Sequence, residues 1–152
     1  MIIGVNATKE AIFFAETDTA GQTFSIKIKR LAFNLTETEG LLDLFQSVST
    51  LLSGYDPARL TAVAILRCCG GQRASSVEAI KAEAVTELAI RKKAIKVLGV
   101  TPHSLKKALQ CEGGQKWRPR AKQLFNSNGQ HSYWSQGADG AVAAAYKASP
   151  PH

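Results

Sequence analysis

Apolar residues fall in short runs over the first part of the chain and at helical spacing further on, and that change of period is the first guide to its architecture. Residues 2–5 and 11–15, rich in Ile, Val and Phe, flank the polar Ala7-Thr8-Lys9-Glu10 and predict a β-hairpin. Thr17-Asp18-Thr19-Ala20-Gly21 predicts a second turn. Phe24, Ile26 and Ile28 then alternate with Ser25, Lys27 and Lys29, as in a third strand with one wet face.

Thr36-Glu37-Thr38-Glu39 has the form of a capping box. Leu41, Leu42, Leu44, Phe45, Val48, Leu51 and Leu52 follow at helical spacing as far as Gly54. Asp56-Pro57 marks a turn, and the unbroken apolar run over residues 60–66 predicts a buried, central, parallel strand ended by Gly70-Gly71. Ser75 or Ser76 caps the next helix, whose apolar face is carried by Val77, Ile80, Ala84, Leu88 and Ile90 towards Lys93. Residues 95–100 predict a short strand, and residues 104–109 and 119–125 two short helices around a Gly-rich loop. The small residues from Gly137 to Tyr146 predict a last helix thin enough to lie close on a sheet. No repeat or second domain is visible, so the expected organisation is one domain over residues 1–148 and a tail over residues 149–152.

Composition narrows the class. The 45% of hydrophobic and 20% of charged residues are those of an ordinary globular protein. No apolar run reaches the ~20 residues of a membrane helix, and the N-terminus lacks the pattern of a secretory signal. The expectation is a cytoplasmic protein without membrane contact. Cys68, Cys69 and Cys111 are odd in number, against a disulfide framework, and show no zinc-ligand spacing with His103, His131 or His152. A net charge of +7 favours an anionic partner, nucleic acid first. The excess is concentrated in Arg91, Lys92, Lys93, Lys96, Lys106, Lys107, Lys116, Arg118, Arg120 and Lys122, with Glu112 alone against them.

The second half carries a resemblance. Ala74-Ser75-Ser76-Val77-Glu78-Ala79-Ile80-Lys81-Ala82-Glu83-Ala84 is followed by Val100-Thr101-Pro102-His103-Ser104-Leu105-Lys106-Lys107-Ala108-Leu109, by Gly113-Gly114-Gln115-Lys116 and by Ala121-Lys122-Gln123-Leu124. This series resembles the RuvC family, with its serine-capped small-residue helix, Thr-Pro-x-x-Val-Lys-x-x-Val segment, Gly-x-Gly loop and lysine-containing helix start. Gly137-Ala138-Asp139-Gly140-Ala141 is similar to that family's closing Asp-Ala-Ala-Asp-Ala helix. The resemblance runs from Ile2 to Tyr146 and is strongest from Ser75 to Ala145. With the element order β-β-β-α-β-α-β-α it implies an α/β, RNase H-like fold. Three antiparallel N-terminal strands lead a mixed sheet, parallel strands follow, and helices cover both faces.

RuvC enzymes are dimeric, magnesium-dependent endonucleases that resolve four-way DNA junctions. The resemblance therefore implies four carboxylates around two cations, and it allows a homodimer. Carried over by position, the first acid falls on Asn6, the second on Leu66 or its neighbour Arg67, and the third on Gln136. Only the fourth, Asp139, keeps a carboxylate. One carboxylate does not hold two hard cations, and an arginine at the site would repel them. Glu78 and Glu83 lie five residues apart on different faces of a helix and form no replacement pair.

The leading expectation is a RuvC-like domain with a degenerate site and no cofactor, which binds nucleic acid, structured or branched DNA above all. One alternative is a Mg2+-dependent endonuclease rebuilt around Asp139 and acids from other positions; another is a protein-interaction scaffold. Lys106, Lys107, Lys116, Trp117, Arg118, Arg120 and Lys122 are the candidate nucleic-acid contacts. Trp117 among cations beside Gly113-Gly114 suits phosphate contacts combined with stacking. Tyr133 and Trp134 read either as a second stacking pair or as core. Asp139 is the candidate for residual metal binding, or simply an acid that favours a helix N-terminus.

Overall fold

The computed structural model describes residues 1–18, 24–68 and 76–150. The elements are β1 (Ile2–Ala7), β2 (Ala11–Asp18), β3 (Ser25–Ala32), α1 (Gly40–Ser53), β4 (Ala62–Leu66), α2 (Val77–Lys92), β5 (Val97–Val100), α3 (Pro102–Ala108), α4 (Trp117–Phe125), a 3-10 turn (Trp134–Gln136) and α5 (Ala138–Ala148). The strands form one sheet in the order β3-β2-β1-β4-β5. β1, β2 and β3 are antiparallel neighbours, whereas β4 runs parallel to β1 and β5 parallel to β4. The mixed sheet expected from the hydrophobic pattern is therefore the one found.

Burial along each strand follows from its place. β1 is central and covered on both faces, so all six of its residues are buried. β3 is an edge strand and alternates between covered and wet positions. On one face of the sheet, Ile3, Val5, Phe14 and Ile65 pack against Leu44, Val48 and Leu52 of α1 and Ala82, Ala89 and Ile90 of α2. On the other face, Phe13 and Leu66 pack against α5, which is flanked by Leu105, Leu109 and Ala121 of the α3–α4 segment. Helix α5 lies directly on β1: a Cβ at Gly4 would stand 1.8 Å from the Ala141 carbonyl oxygen. Small residues on both elements make that approach sterically feasible.

Several local expectations are corrected. No capping box opens α1. Glu39 precedes the helix without a side-chain cap, and Asn34 Oδ1 instead accepts hydrogen bonds from the Thr36 amide and hydroxyl. Gly40 begins the helix because a Cβ there would meet the Asn34 carbonyl oxygen at 2.4 Å. Ser76 is the cap of α2, its hydroxyl accepting from Ala79 N. The buried face of α2 is made by Ala79, Ala82, Thr86, Ala89 and Ile90, while Val77, Ile80, Ala84 and Leu88 face outward. Thr17 and Asp18 extend β2 rather than opening a turn. The rest of that turn (residues 19–21), Cys69, the Gly70-Gly71 break, Ser75 and the end of the tail lie outside the described residues.

Candidate functional site

Strand register sets up the site before any side chain is considered. Asn6 stands opposite Phe13 on β2 and Leu66 on β4; Phe13 stands opposite Arg30, and Leu66 opposite Val100. Directly paired residues share a face, so Arg30, Phe13, Asn6, Leu66 and Val100 form one row across the α5 side of the sheet. The row crosses the C-terminal ends of β1 and β4, where α/β sheets commonly place ligands.

The start of α5 closes over this row. Asn6 is buried, and its Nδ2 donates to the Gly137 carbonyl oxygen at 2.9 Å. A Cβ added at Gly140 would lie 2.5 Å from Asn6 Nδ2 and 2.9 Å from a Leu66 methyl. Asn6, Leu66 and the helix backbone thus already fill the space between them. Asp139 follows, with its side chain 6% exposed. One carboxylate oxygen accepts from the Gly140 amide at 2.7 Å, and the other from Arg118 Nη1 at 2.7 Å. Arg118, on α4, is 56% exposed and also stands 4.4 Å over the Trp117 ring. A buried carboxylate needs a partner to offset its lost hydration, and here the chain supplies that partner as a guanidinium.

Arg67 does not bring charge to this cluster. It lies on the α2 side, across Gly99, and is hydrogen-bonded to Glu87 with Glu83 at 3.6 Å. Arg91 holds the other Glu87 oxygen at 2.8 Å. The hydrogen bonds from Arg67 and Arg91 outweigh partial burial and keep the Glu87 carboxyl below its ordinary range; the bond to Glu87 likewise pushes the Arg67 guanidinium up. Leu66 thus faces the cluster, and the expected repulsion from Arg67 is absent there because successive residues along a strand point to opposite faces.

Gln136 is exposed in the 3-10 turn, and among the described residues no hydrogen bond joins it to Asn6 or Asp139. The structure therefore gathers Asn6, Leu66 and Asp139 and leaves Gln136 out. This donor set does not fit the magnesium that the family resemblance implies. It offers an amide already donating to a carbonyl, an alkyl group, and one carboxylate engaged by arginine. Among the described residues, no three His, Cys, Asp or Glu side chains are placed to share a metal ion.

The basic segment divides in space. Arg91, Lys92, Lys93 and Lys96 lie at the far end of the sheet, where Lys96 O accepts from Val63 N at the start of β4 and Lys93 reaches Ser53 at the end of α1. Lys106, Lys107, Lys116 and Lys122 are exposed on and beside α3 and α4, with no ion pair among the described residues. Arg120 is half-buried and donates to the Leu109 carbonyl at 3.0 Å, tying α4 to the end of α3. Trp117 is not on an open loop: it is half-buried at the start of α4 and packs on the core. Trp134 is core, 8% exposed, whereas Tyr133 is 44% exposed, so the two are not a stacking pair. The Arg118–Asp139 pair and the placement of Arg30 beside Tyr133 had no local signal in the sequence.

Sheet order, register and the helix over β1 define an RNase H-like fold. Among solved structures this is the architecture of RuvC resolvases. Thermus thermophilus RuvC in complex with a Holliday junction substrate superposes with a TM-score of 0.69 at 13% identity, covering 96% of this chain and 90% of that one. A second Thermus thermophilus RuvC structure gives 0.69 at 13% identity, over 96% of this chain and 91% of that one. Fowlpox virus resolvase, in complex with substrate Holliday junction DNA, gives 0.54 at 15% identity over 95% of each chain. No protein-family model matches the sequence, and neither does any curated protein.

Proposed function

We propose that this protein binds nucleic acid, branched DNA above all, through the α3–α4 face of a domain that has lost metal-dependent cleavage. The observation that carries the reading is the Arg118–Asp139 pair: the one carboxylate kept at the site is neutralised from within the chain. Lys106, Lys107, Lys116 and Lys122 leave uncompensated cations on the same side, and the junction-bound resolvases of the same fold supply the class of ligand.

The test is a four-way junction titrated with protein over a range of salt, with and without Mg2+ or Mn2+. Log affinity falls linearly with log salt, and no strand is cut. Changing Lys106, Lys107, Lys116 and Lys122 together to Ala reduces the slope by up to ~3.6, at ~0.9 for each phosphate neutralised. Arg118 and Arg120 are spared because each has an intramolecular partner. Metal-dependent nicking abolished by Asp139→Ala would return the protein to the endonucleases. A parent that binds no nucleic acid would leave the scaffold reading.

A second copy of the chain is the proposed partner for α2. Val77, Ile80, Ala84 and Leu88 form an outward stripe opposite the buried face of the helix. An antiparallel pairing with its two-fold axis at Ala84 sets Ile80 of one chain against Leu88 of the other, so the stripe complements itself. Sedimentation is expected to show a dimer that Leu88→Glu converts to a monomer. A parent monomeric at high protein concentration refutes the pairing.

A further inference from the structure

Tyr133 is in the left-handed region, at φ 62° and ψ 14°, where a bulky aromatic side chain is an outlier. Its carbonyl accepts from Gln136 N at 3.1 Å and Ala138 N at 3.2 Å, so the turn into α5 fixes the direction in which the ring leaves the backbone. A turn of this form is satisfied by Gly or Asn at lower strain. Core packing does not account for the tyrosine either. Tyr133 is 44% exposed and its ring meets Phe13 in a tilted contact, with centroids 6.2 Å apart, while the next residue, Trp134, fills the core. Arg30 stands 5.9 Å over the ring and has no acidic partner among the described residues. Register puts Arg30 in the same row as Phe13 and Asn6, so this aromatic–cation pair borders the Asn6–Asp139 cluster.

We infer that Tyr133 and Arg30 form a site for an unpaired nucleobase, with the ring stacking on the base and the guanidinium contacting its phosphate. The inference rests on the nucleic-acid reading above and deepens it, from DNA in general to DNA with unstacked bases. In an intact duplex both faces of every internal base are already covered, so a fixed aromatic ring gains stacking only where a base is free. Every base presents such a face, and the contact is therefore tolerant of sequence. The rigid turn matters because the ring is held ready for the base rather than ordered by it.

Three variants and three probes test this. Tyr133→Asn removes the ring and suits left-handed backbone, so it is expected to fold; Tyr133→Phe keeps the ring. The probes are a four-way junction with unpaired bases at its crossover, one of them 2-aminopurine, a matched duplex of the same length, and a single strand. Tyr133→Asn is expected to bind the junction ~5- to 150-fold more weakly, the range that loss of one base stack produces, with its salt slope and duplex affinity unchanged. Tyr133→Phe retains the parent's junction affinity. The parent quenches 2-aminopurine emission and Tyr133→Asn does not. Arg30→Ala flattens the salt slope by ~0.7 on a single strand. Equal junction affinity of Tyr133→Asn and the parent overturns the inference alone, provided the lysine substitutions still flatten the slope. A parent that binds none of the probes overturns it together with the nucleic-acid reading.

Discussion

Gly4→Ala is expected to cost more than ~3 kcal/mol of folding stability, at or beyond the upper end of ordinary overpacking. The added Cβ would stand 1.8 Å from the Ala141 carbonyl oxygen and 2.9 Å from Ala145 Cβ. Neither side yields cheaply. Gly4 lies in the central strand, hydrogen-bonded on both edges, and Ala141 O belongs to a helix backbone rather than to a flexible side chain. Relief requires α5 to lift away from β1, which opens the packing of Ala141, Val142 and Ala145 and pulls Gly137 away from Asn6. Domains of this kind have only ~5–15 kcal/mol in hand, so urea denaturation should show the midpoint falling by a large fraction. Gly114→Ala is the control, since nothing lies within 4 Å of a Cβ there. A Gly4→Ala protein as stable as the control contradicts the contact between α5 and β1.

Asn6→Asp is expected to destabilise the protein by ~3 kcal/mol, although it places a carboxylate where the family resemblance implies the first acid. The amide nitrogen of Asn6 is a donor to Gly137 O. A carboxylate in its place loses that bond, sets negative charge against a carbonyl oxygen, and is buried without a cation. Leaving a buried acceptor unpaired costs ~1–3 kcal/mol, and more when it is charged. Millimolar Mg2+ or Mn2+ is not expected to recover the loss, because Leu66 supplies no second ligand and Arg118 occupies Asp139. Thermal melts of parent and variant with and without metal read this directly. An Asn6→Asp protein stabilised by metal would show that a metal site survives beneath the arginine pair.

Both expected results trace to features of different legibility. The period-2 and continuous apolar runs sufficed for the three antiparallel strands and the buried strand beside β1, because strand faces follow from alternation alone. The positions of Asn6 and Asp139 were equally legible, since a polar residue at the end of an apolar strand and an acid opening a small-residue helix are local patterns. The face of α2 was not. Large apolar residues at helical spacing read as core, yet Val77, Ile80, Ala84 and Leu88 point outward, and the small Ala79, Ala82 and Ala89 face the sheet. Small residues on the inner face let α2 pack close, which hydrophobic periodicity does not register. The basic stretch likewise read as one patch, but β5 carries the chain from one end of the sheet to the other and leaves Arg91–Lys96 cations far from those of α3 and α4.

By itself, then, the sequence determined the fold class, the register-bearing strands and the absence of an acid at Asn6, Leu66 and Gln136, all properties of residue type and short-range period. Only the tertiary structure decided what surrounds those positions. Arg118 and Asp139 are brought together by the packing of α4 on α5, Leu66 rather than Arg67 is turned to the site by the pleat of β4, and the left-handed backbone of Tyr133 leaves its side chain outside the core that Trp134 enters. Each depends on how elements distant in the chain dock, or on a backbone angle that the residue's own preference opposes. Neither kind of information is carried by a local pattern of polar and apolar positions.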